Sequence, residues 1–165
     1  MHRQAVLQIV GYKDSGKTTL ICQLIRQLSE KGLRIGTIKH DSHELRLDAE
    51  GTDTWKHSEA GAQVVAVSSQ KRTAIFKQQA TPLSNLLTAM SGLDLILVEG
   101  FKREPYPKIL MIKKEDDLAL MEQLSNIIAV VSWIPLENAC TPVWSVNRTE
   151  GLAEFLLRYT GVEHK

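Results

Sequence analysis

The chain has 165 residues, 43% of them hydrophobic and 24% charged, with a formal net charge of +1. That is ordinary globular composition at the length of one domain, so a single domain over residues 1–165 is expected. A near-neutral balance offers no whole-molecule attraction to nucleic acid, so any positive site must be local. The longest apolar runs, at 93–98 and 127–131, fall far short of the ~20 residues that span a bilayer. Cys22 and Cys140 belong to no Cys-x-x-Cys pair, which argues against a thiolate metal site or a redox motif. The short apolar stretch at 5–10 is too brief for a signal-peptide core. A cytoplasmic protein with neither membrane nor nucleic acid as a partner is the expectation.

The predicted elements alternate. Residues 5–10, Ala-Val-Leu-Gln-Ile-Val, read as a buried strand. Residues 18–31 read as a helix, with Leu20, Ile21, Leu24, Ile25 and Leu28 on one face and Gly32 as its stop. A second strand covers 33–39, followed by a polar stretch over 40–51 and a short helix at 54–59. Residues 63–68 and 73–77 form a strand pair around the turn Ser69-Gln70-Lys71-Arg72. A helix is predicted over 82–90, and a strand over 93–99. Pro105 and Pro107 mark an extended loop. Further strands are predicted at 109–112, 126–131 and 143–146, and a last helix at about 150–159. Nearly continuous apolar strands favour a sheet covered on both faces. The fold class is therefore α/β: a three-layer P-loop domain with a mainly parallel sheet, extended by antiparallel strands from 63–77 and 109–112.

Gly11-Tyr12-Lys13-Asp14-Ser15-Gly16-Lys17-Thr18 matches the phosphate-loop (Walker A) pattern Gly-x-x-x-x-Gly-Lys-[Ser/Thr] in full, between a strand and a helix. Gly11 lets the chain leave the strand sharply, and Gly16 lets backbone amides approach phosphate oxygens. The amides from Asp14 through Ser15 to Thr18 form an anion nest at a helix N-terminus. Lys17 supplies full charge near the outer phosphates, Thr18 a hydroxyl for Mg²⁺, and Thr19 a contact to the inner phosphate. Lys13 either reaches phosphate or is solvated. At the end of the apolar run Leu95-Ile96-Leu97-Val98, Glu99 is placed to hold Mg²⁺ or orient an attacking water. Asp94 lies five residues earlier, about 16 Å along an extended chain, and cannot share that site. Asp41, after the second strand, is a candidate Mg²⁺ ligand. His40, Asp41, His43 and His57 can be read either as a transition-metal cluster or as a solvated polar loop.

The motif run is longer than a phosphate loop. Gly11 through Leu20, Thr37-Ile38-Lys39-His40-Asp41, Asp53-Thr54 with Ala60-Gly61-Ala62, Leu97-Val98-Glu99-Gly100-Phe101-Lys102 and Pro107-Lys108-Ile109 follow in order. Over roughly residues 5–112 the chain resembles the molybdopterin-guanine dinucleotide biosynthesis protein B (MobB) family. The resemblance implies a GTP- and Mg²⁺-binding homodimer with weak GTPase activity. Such a protein would assist molybdopterin guanylyltransferase in joining GMP to molybdopterin during molybdenum cofactor biosynthesis. It also implies that residues 11–19 hold GTP, and that Asp41 and Glu99 serve the metal and the water. Lys39, Lys102, Arg103 and Lys108 would form a basic rim for an anionic pterin or the partner enzyme. Val146-Asn147-Arg148-Thr149-Glu150 is a loose echo of a guanine-reading Asn-Lys-x-Asp loop, and Asn147 can equally be a helix cap. No glutamine or arginine is placed as a water-holder or finger, so turnover is expected to be slow. The other readings are a small-molecule P-loop kinase, for which no Arg-x-x-Arg lid is found, and a nucleotide-switched adapter without useful catalysis.

Overall fold

The computed structural model describes residues 4–41, 48–137 and 139–161. They cluster into two compact units, one of residues 1–40 and 87–165, the other of residues 41–86.

In the first unit, β1 (Ala5–Val10), β2 (Ile35–Lys39), β5 (Leu95–Glu99), β6 (Lys108–Ile112), β7 (Ile127–Ser132) and β8 (Val143–Ser145) form a sheet in the order β2-β5-β1-β6-β7-β8. Every pairing in it is parallel. Parallel strands put all their C-terminal ends on one edge, where open α/β sheets bind ligands. One face is covered by α1 (Lys17–Glu30) and α5 (Leu152–Thr160). Leu20, Ile21, Leu24 and Leu28 meet Leu152, Ala153 and Leu156 over Leu7, Ile9, Leu97, Ile109 and Val131. Fully burying each such side chain is worth about 1.5–3 kcal/mol, so this cluster is the main anchor of the sheet. Leu120 of α4 (Ala119–Gln123) covers Val10, Leu110, Ile112 and Val130 on the opposite face. The domain is thus three-layered, as the apolar pattern implied. The helix stop at Gly32 is also seen: its φ is +84°, its N–H bonds the Ser29 carbonyl and the Leu33 N–H bonds that of Leu28.

Two expectations change in this unit. Residues 109–112 do not extend the sheet as an antiparallel strand; β6 lies inside it, parallel to β1 and β7. Eight residues, 100–107, join β5 to β6, fewer than a usual parallel crossover needs. The connection is possible because β6 starts at the level of Gln8, one residue short of where β5 ends beside Ile9. Gln8 and Lys108 are register partners and share a face. Both are fully buried, and together they hold the strap. The Gln8 amide donates to the carbonyls of Gly100 (3.1 Å) and Phe101 (2.6 Å). The Lys108 ammonium donates to those of Glu104 and Tyr106. Lys108 is therefore no part of a basic rim; burial pushes its pKa down, with Glu104 opposing. The second change is a 3₁₀ turn at Glu115–Leu118 leading into α4, in a stretch with no predicted element. The buried Asp117 carboxylate starts it by accepting the Lys113 and Lys114 N–H groups.

The second unit holds α2 (Asp53–Glu59), capped by the Thr52 hydroxyl, and the antiparallel pair β3 (Val64–Ser68) and β4 (Thr73–Lys77). The pair forms its own two-stranded sheet, so residues 63–77 do not extend the parallel sheet, contrary to expectation. Val64 and Ile75 stand 54% and 60% exposed on one face of it. The remaining helix, α3 (Leu83–Ala89), spans the division between the units. Among the described residues no helix is long and apolar enough to cross a membrane.

Replacing Gln8 with Leu leaves two half-buried carbonyls without their donor while removing one buried oxygen, Gln8 Oε1, that has no partner. Urea unfolding should show a loss of about 1–3 kcal/mol. An unchanged midpoint would mean that the strap is not held by this amide.

Candidate functional site

The loop between β1 and α1 is shaped by what lies under it. Gly11, at φ +155°, sits so close to β6 that an added Cβ would be 2.9 Å from the Met111 carbonyl oxygen, from Met111 Cβ and from Ser15 Oγ. Asp14 is left-handed at φ +58°, and Gly16 at +98° is the N-cap of α1. These turns bring successive backbone amides round to one concave side. Two side chains from neighbouring strand ends brace the outside. Lys113, just past β6, donates to the Asp14 carbonyl at 3.0 Å, and Trp133, just past β7, donates from its indole to the Ser15 carbonyl at 2.8 Å. The carbonyls are thus tied back, which leaves the N–H groups for a ligand.

Three observations fit the loop to an oxyanion. No side chain caps the start of α1, and its first turn holds no acidic residue, so its free N–H groups and positive end have no internal anion. The Ser15 hydroxyl is fully buried without a hydrogen-bond partner. The Lys17 ammonium folds across the loop onto the Tyr12 carbonyl, at 2.6 Å. Its pKa is lowered, first by burial; Glu99 opposes, Lys102 adds to the lowering, Asp14 opposes, and Lys39 adds to it. Those causes place Glu99, Lys102, Asp14 and Lys39 around one ammonium.

Across the loop, the Thr18 hydroxyl donates to both Glu99 carboxylate oxygens, at 3.1 and 3.3 Å. The pair is an all-oxygen donor set of the kind a hard divalent cation takes, with water completing its shell. Glu99 is aimed by the strap that follows it. Gly100 and Phe101 are both left-handed, at φ +90° and +51°, and the Phe101 ring packs on His40 with centroids 4.5 Å apart. The Lys102 ammonium stands 4.7 Å from the centre of the Tyr12 ring, a cation–π contact that ties the strap to the loop. Asp94 is occupied elsewhere: Arg34 grips it through its backbone N–H, Nε and Nη2.

The family model for molybdopterin guanine dinucleotide synthesis protein B, MobB, matches residues 6–133. The molybdopterin-guanine dinucleotide biosynthesis adapter protein of Haemophilus influenzae is 39% identical over 155 residues, 92% of this chain and 86% of the relative. Its Escherichia coli counterpart is 35% identical over 165 residues, 93% and 92% of the two chains. The chain belongs to the MobB family. Among solved structures, a MobB homolog from Bacillus stearothermophilus superposes with a TM-score of 0.77 at 32% identity, covering 96% of this chain and 99% of that one. Bacillus subtilis MobB gives 0.78 at 30% identity, covering 93% and 96%. The hydrogenase maturation factor HypB from Archaeoglobus fulgidus shares the fold alone, at 0.51 and 15% identity.

Of the residues singled out in the sequence, the structure gathers Gly11, Asp14, Ser15, Gly16, Lys17, Thr18 and Glu99 in the MobB loop. Lys13 and Thr19 are exposed, Lys39 is exposed at the end of β2 near the Lys17 ammonium, and Arg103 is exposed on the strap. Asp41 opens the other unit, and His43 lies outside the described residues. His40 is engaged by Phe101, and among the described residues no three His, Cys, Asp or Glu side chains converge as a metal site. Gln8, Lys113 and Trp133 were missed. No motif marks them; the signal is topological, since Gln8 lies within β1 opposite the start of β6, and Lys113 and Trp133 follow strand ends on the ligand edge.

Gly11→Ala must displace β6 backbone, whereas a Cβ on Gly16 first meets the Met111 methyl at 3.4 Å, a soft neighbour. Thermal unfolding should place Gly11→Ala well below Gly16→Ala, by several degrees. The reverse order would contradict this account of the loop's support.

Proposed function

We propose that this MobB-family chain binds GTP with Mg²⁺ in the 11–19 loop, hydrolyses it slowly to GDP, and serves as an adapter in molybdopterin guanine dinucleotide synthesis. The observation that carries the reading is the Thr18–Glu99 contact across a phosphate loop where, among the described residues, no side chain caps α1 and the buried Ser15 hydroxyl has no partner. Backbone amides of residues 14–18 and the Lys17 ammonium hold the phosphates. The Thr18 hydroxyl and Glu99 would hold Mg²⁺, and the ion bound there would neutralise charge on the outer phosphates. Glu99 orients the attacking water. Slow turnover is the expectation from the sequence, in which no glutamine or arginine is placed as a water-holder or finger. Lys39, Lys102 and Arg103 form the basic rim, and the anionic partner proposed for it is molybdopterin or the nucleotide-bearing face of the guanylyltransferase that uses it. The names of the curated relatives support the pathway.

Calorimetric titration should show GTP affinity falling at least tenfold in Lys17→Ala, since removing a charge-assisted contact to phosphate costs about 1.4 kcal/mol or more. Phosphate release from GTP, slow in the parent, should drop further in Glu99→Gln. Parent-like GTP affinity in Lys17→Ala would refute the phosphate-site assignment. Phosphate appearing on a small acceptor would convert the reading to a kinase.

A homodimer through the β3–β4 pair belongs to the same reading. Two strands alone are marginal in water; this pair leaves Val64 and Ile75 exposed, and among the described residues no further strand pairs with either edge. Sedimentation should give a dimer for the parent and a monomer for Ile75→Glu. A monomeric parent, or an unchanged dimer in the variant, contradicts it.

A further inference from the structure

Trp133 is placed unlike the other apolar residues of the sheet. It follows the C-terminal end of β7, belongs to neither apolar cluster, and is 50% exposed. Trp144, by contrast, packs on the α1–α5 cluster and on Phe155, with ring centroids 5.1 Å apart. Leaving half an indole in water forfeits apolar burial. The residue is nevertheless fixed. Its backbone N–H bonds the Ile112 carbonyl at 2.9 Å, and its Nε1–H bonds the Ser15 carbonyl at 2.8 Å. Ring atoms Cζ2 and Nε1 lie 3.7 and 3.8 Å from where a Cβ on Gly16 would stand. An indole edge is thus riveted to the phosphate loop while much of the ring is open.

The direction of a bound nucleotide follows from the strand order. Glu99 ends β5 on one side of β1, and it meets Thr18, so the metal and the terminal phosphate lean towards β5. The nucleoside then leaves the loop on the other side, over the ends of β6 and β7, where Trp133 stands. The next strand end borders the same place: the Val146 N–H bonds the Ser132 carbonyl at 2.9 Å, which sets the exposed Asn147 beside Trp133.

We propose that the open face of the Trp133 indole is the stacking platform for the purine base of the nucleotide held by the phosphate loop. The inference rests on the nucleotide reading above. Stacking is indifferent to which purine is bound, because every base has a π-face. Trp133 therefore supplies affinity, and the choice of guanine falls to groups on the base edge, with the Asn147 turn the nearest of them.

The test titrates GTP, ATP and inorganic tripolyphosphate, each with Mg²⁺, into the parent, Trp133→Phe and Trp133→Ala. Trp133→Ala should lose about 10- to 100-fold for both nucleotides and stay within about twofold for tripolyphosphate. Trp133→Phe keeps a ring but lacks the N–H to Ser15, so it should retain most of the nucleotide affinity. Tryptophan emission should respond to GTP in the parent and lose most of that response in Trp133→Phe. Equal losses for GTP and tripolyphosphate would overturn the proposal and reduce Trp133 to a brace of the loop. So would unchanged GTP affinity in Trp133→Ala, or a parent that binds tripolyphosphate as well as GTP. A parent that binds neither removes the phosphate-site reading itself, and this inference with it.

Discussion

Everything at the ligand edge depends on one turn, in which β1 hands over to α1 and the backbone N–H groups end up facing a concavity with no anion of their own. Such a turn is expensive in conformation. It needs positive φ at Gly11, Asp14 and Gly16, and it needs Gly11 pressed against the backbone of β6. The surrounding structure over-determines it. The α1 face is anchored by Leu20, Ile21, Leu24 and Leu28, while Lys113 and Trp133 tie down the carbonyls of Asp14 and Ser15. A loop supported in this way keeps its donors aimed without a ligand present, which is what preorganised anion recognition requires.

The same turn governs the element beside it. Glu99 can meet Thr18 only because β5 and β1 end at matching levels, with Ile9 opposite Glu99. After Glu99 the chain must cross β1 in eight residues, and it does so over two buried polar side chains rather than under a helix. Gln8 and Lys108, both buried, supply donors to four half-buried carbonyls of the strap. The strap then sets Phe101 on His40 and Lys102 over Tyr12. The sheet interior and the ligand edge are thus linked through a few named contacts, and a nucleotide proposed to sit between Thr18 and Glu99 would act on the strap as well as on the loop.

The phosphate loop, its helix and the Glu99 strand could be read from the amino acids because each is local: a glycine pattern, a 3.6-residue stripe and an apolar run ending in a carboxylate. The family blocks between residues 5 and 112 were legible for the same reason. What failed to show was set by register. Nothing near Lys108 in sequence distinguishes a solvated lysine from one buried opposite Gln8. The direction of 109–112 was hidden because a short Pro-marked connection suggests an antiparallel return, and only the stagger of β6 makes a parallel one feasible. The turn into α4 was overlooked although Glu115-Asp116-Asp117 before Leu118 and Leu120 carries a helix-start signal. Lys113 and Trp133 could be found only by asking which residues follow the ends of β6 and β7, the two strands on one side of β1.

The central claim is that phosphates are held by the backbone N–H groups of the β1–α1 turn. Amide ¹H–¹⁵N spectra recorded while GTP and Mg²⁺ are added test it most directly. The account predicts that the amides of Ser15, Gly16, Lys17 and Thr18 shift most, with Glu99 and Gly100 following. Saturating changes elsewhere, with those four amides unmoved, would contradict it.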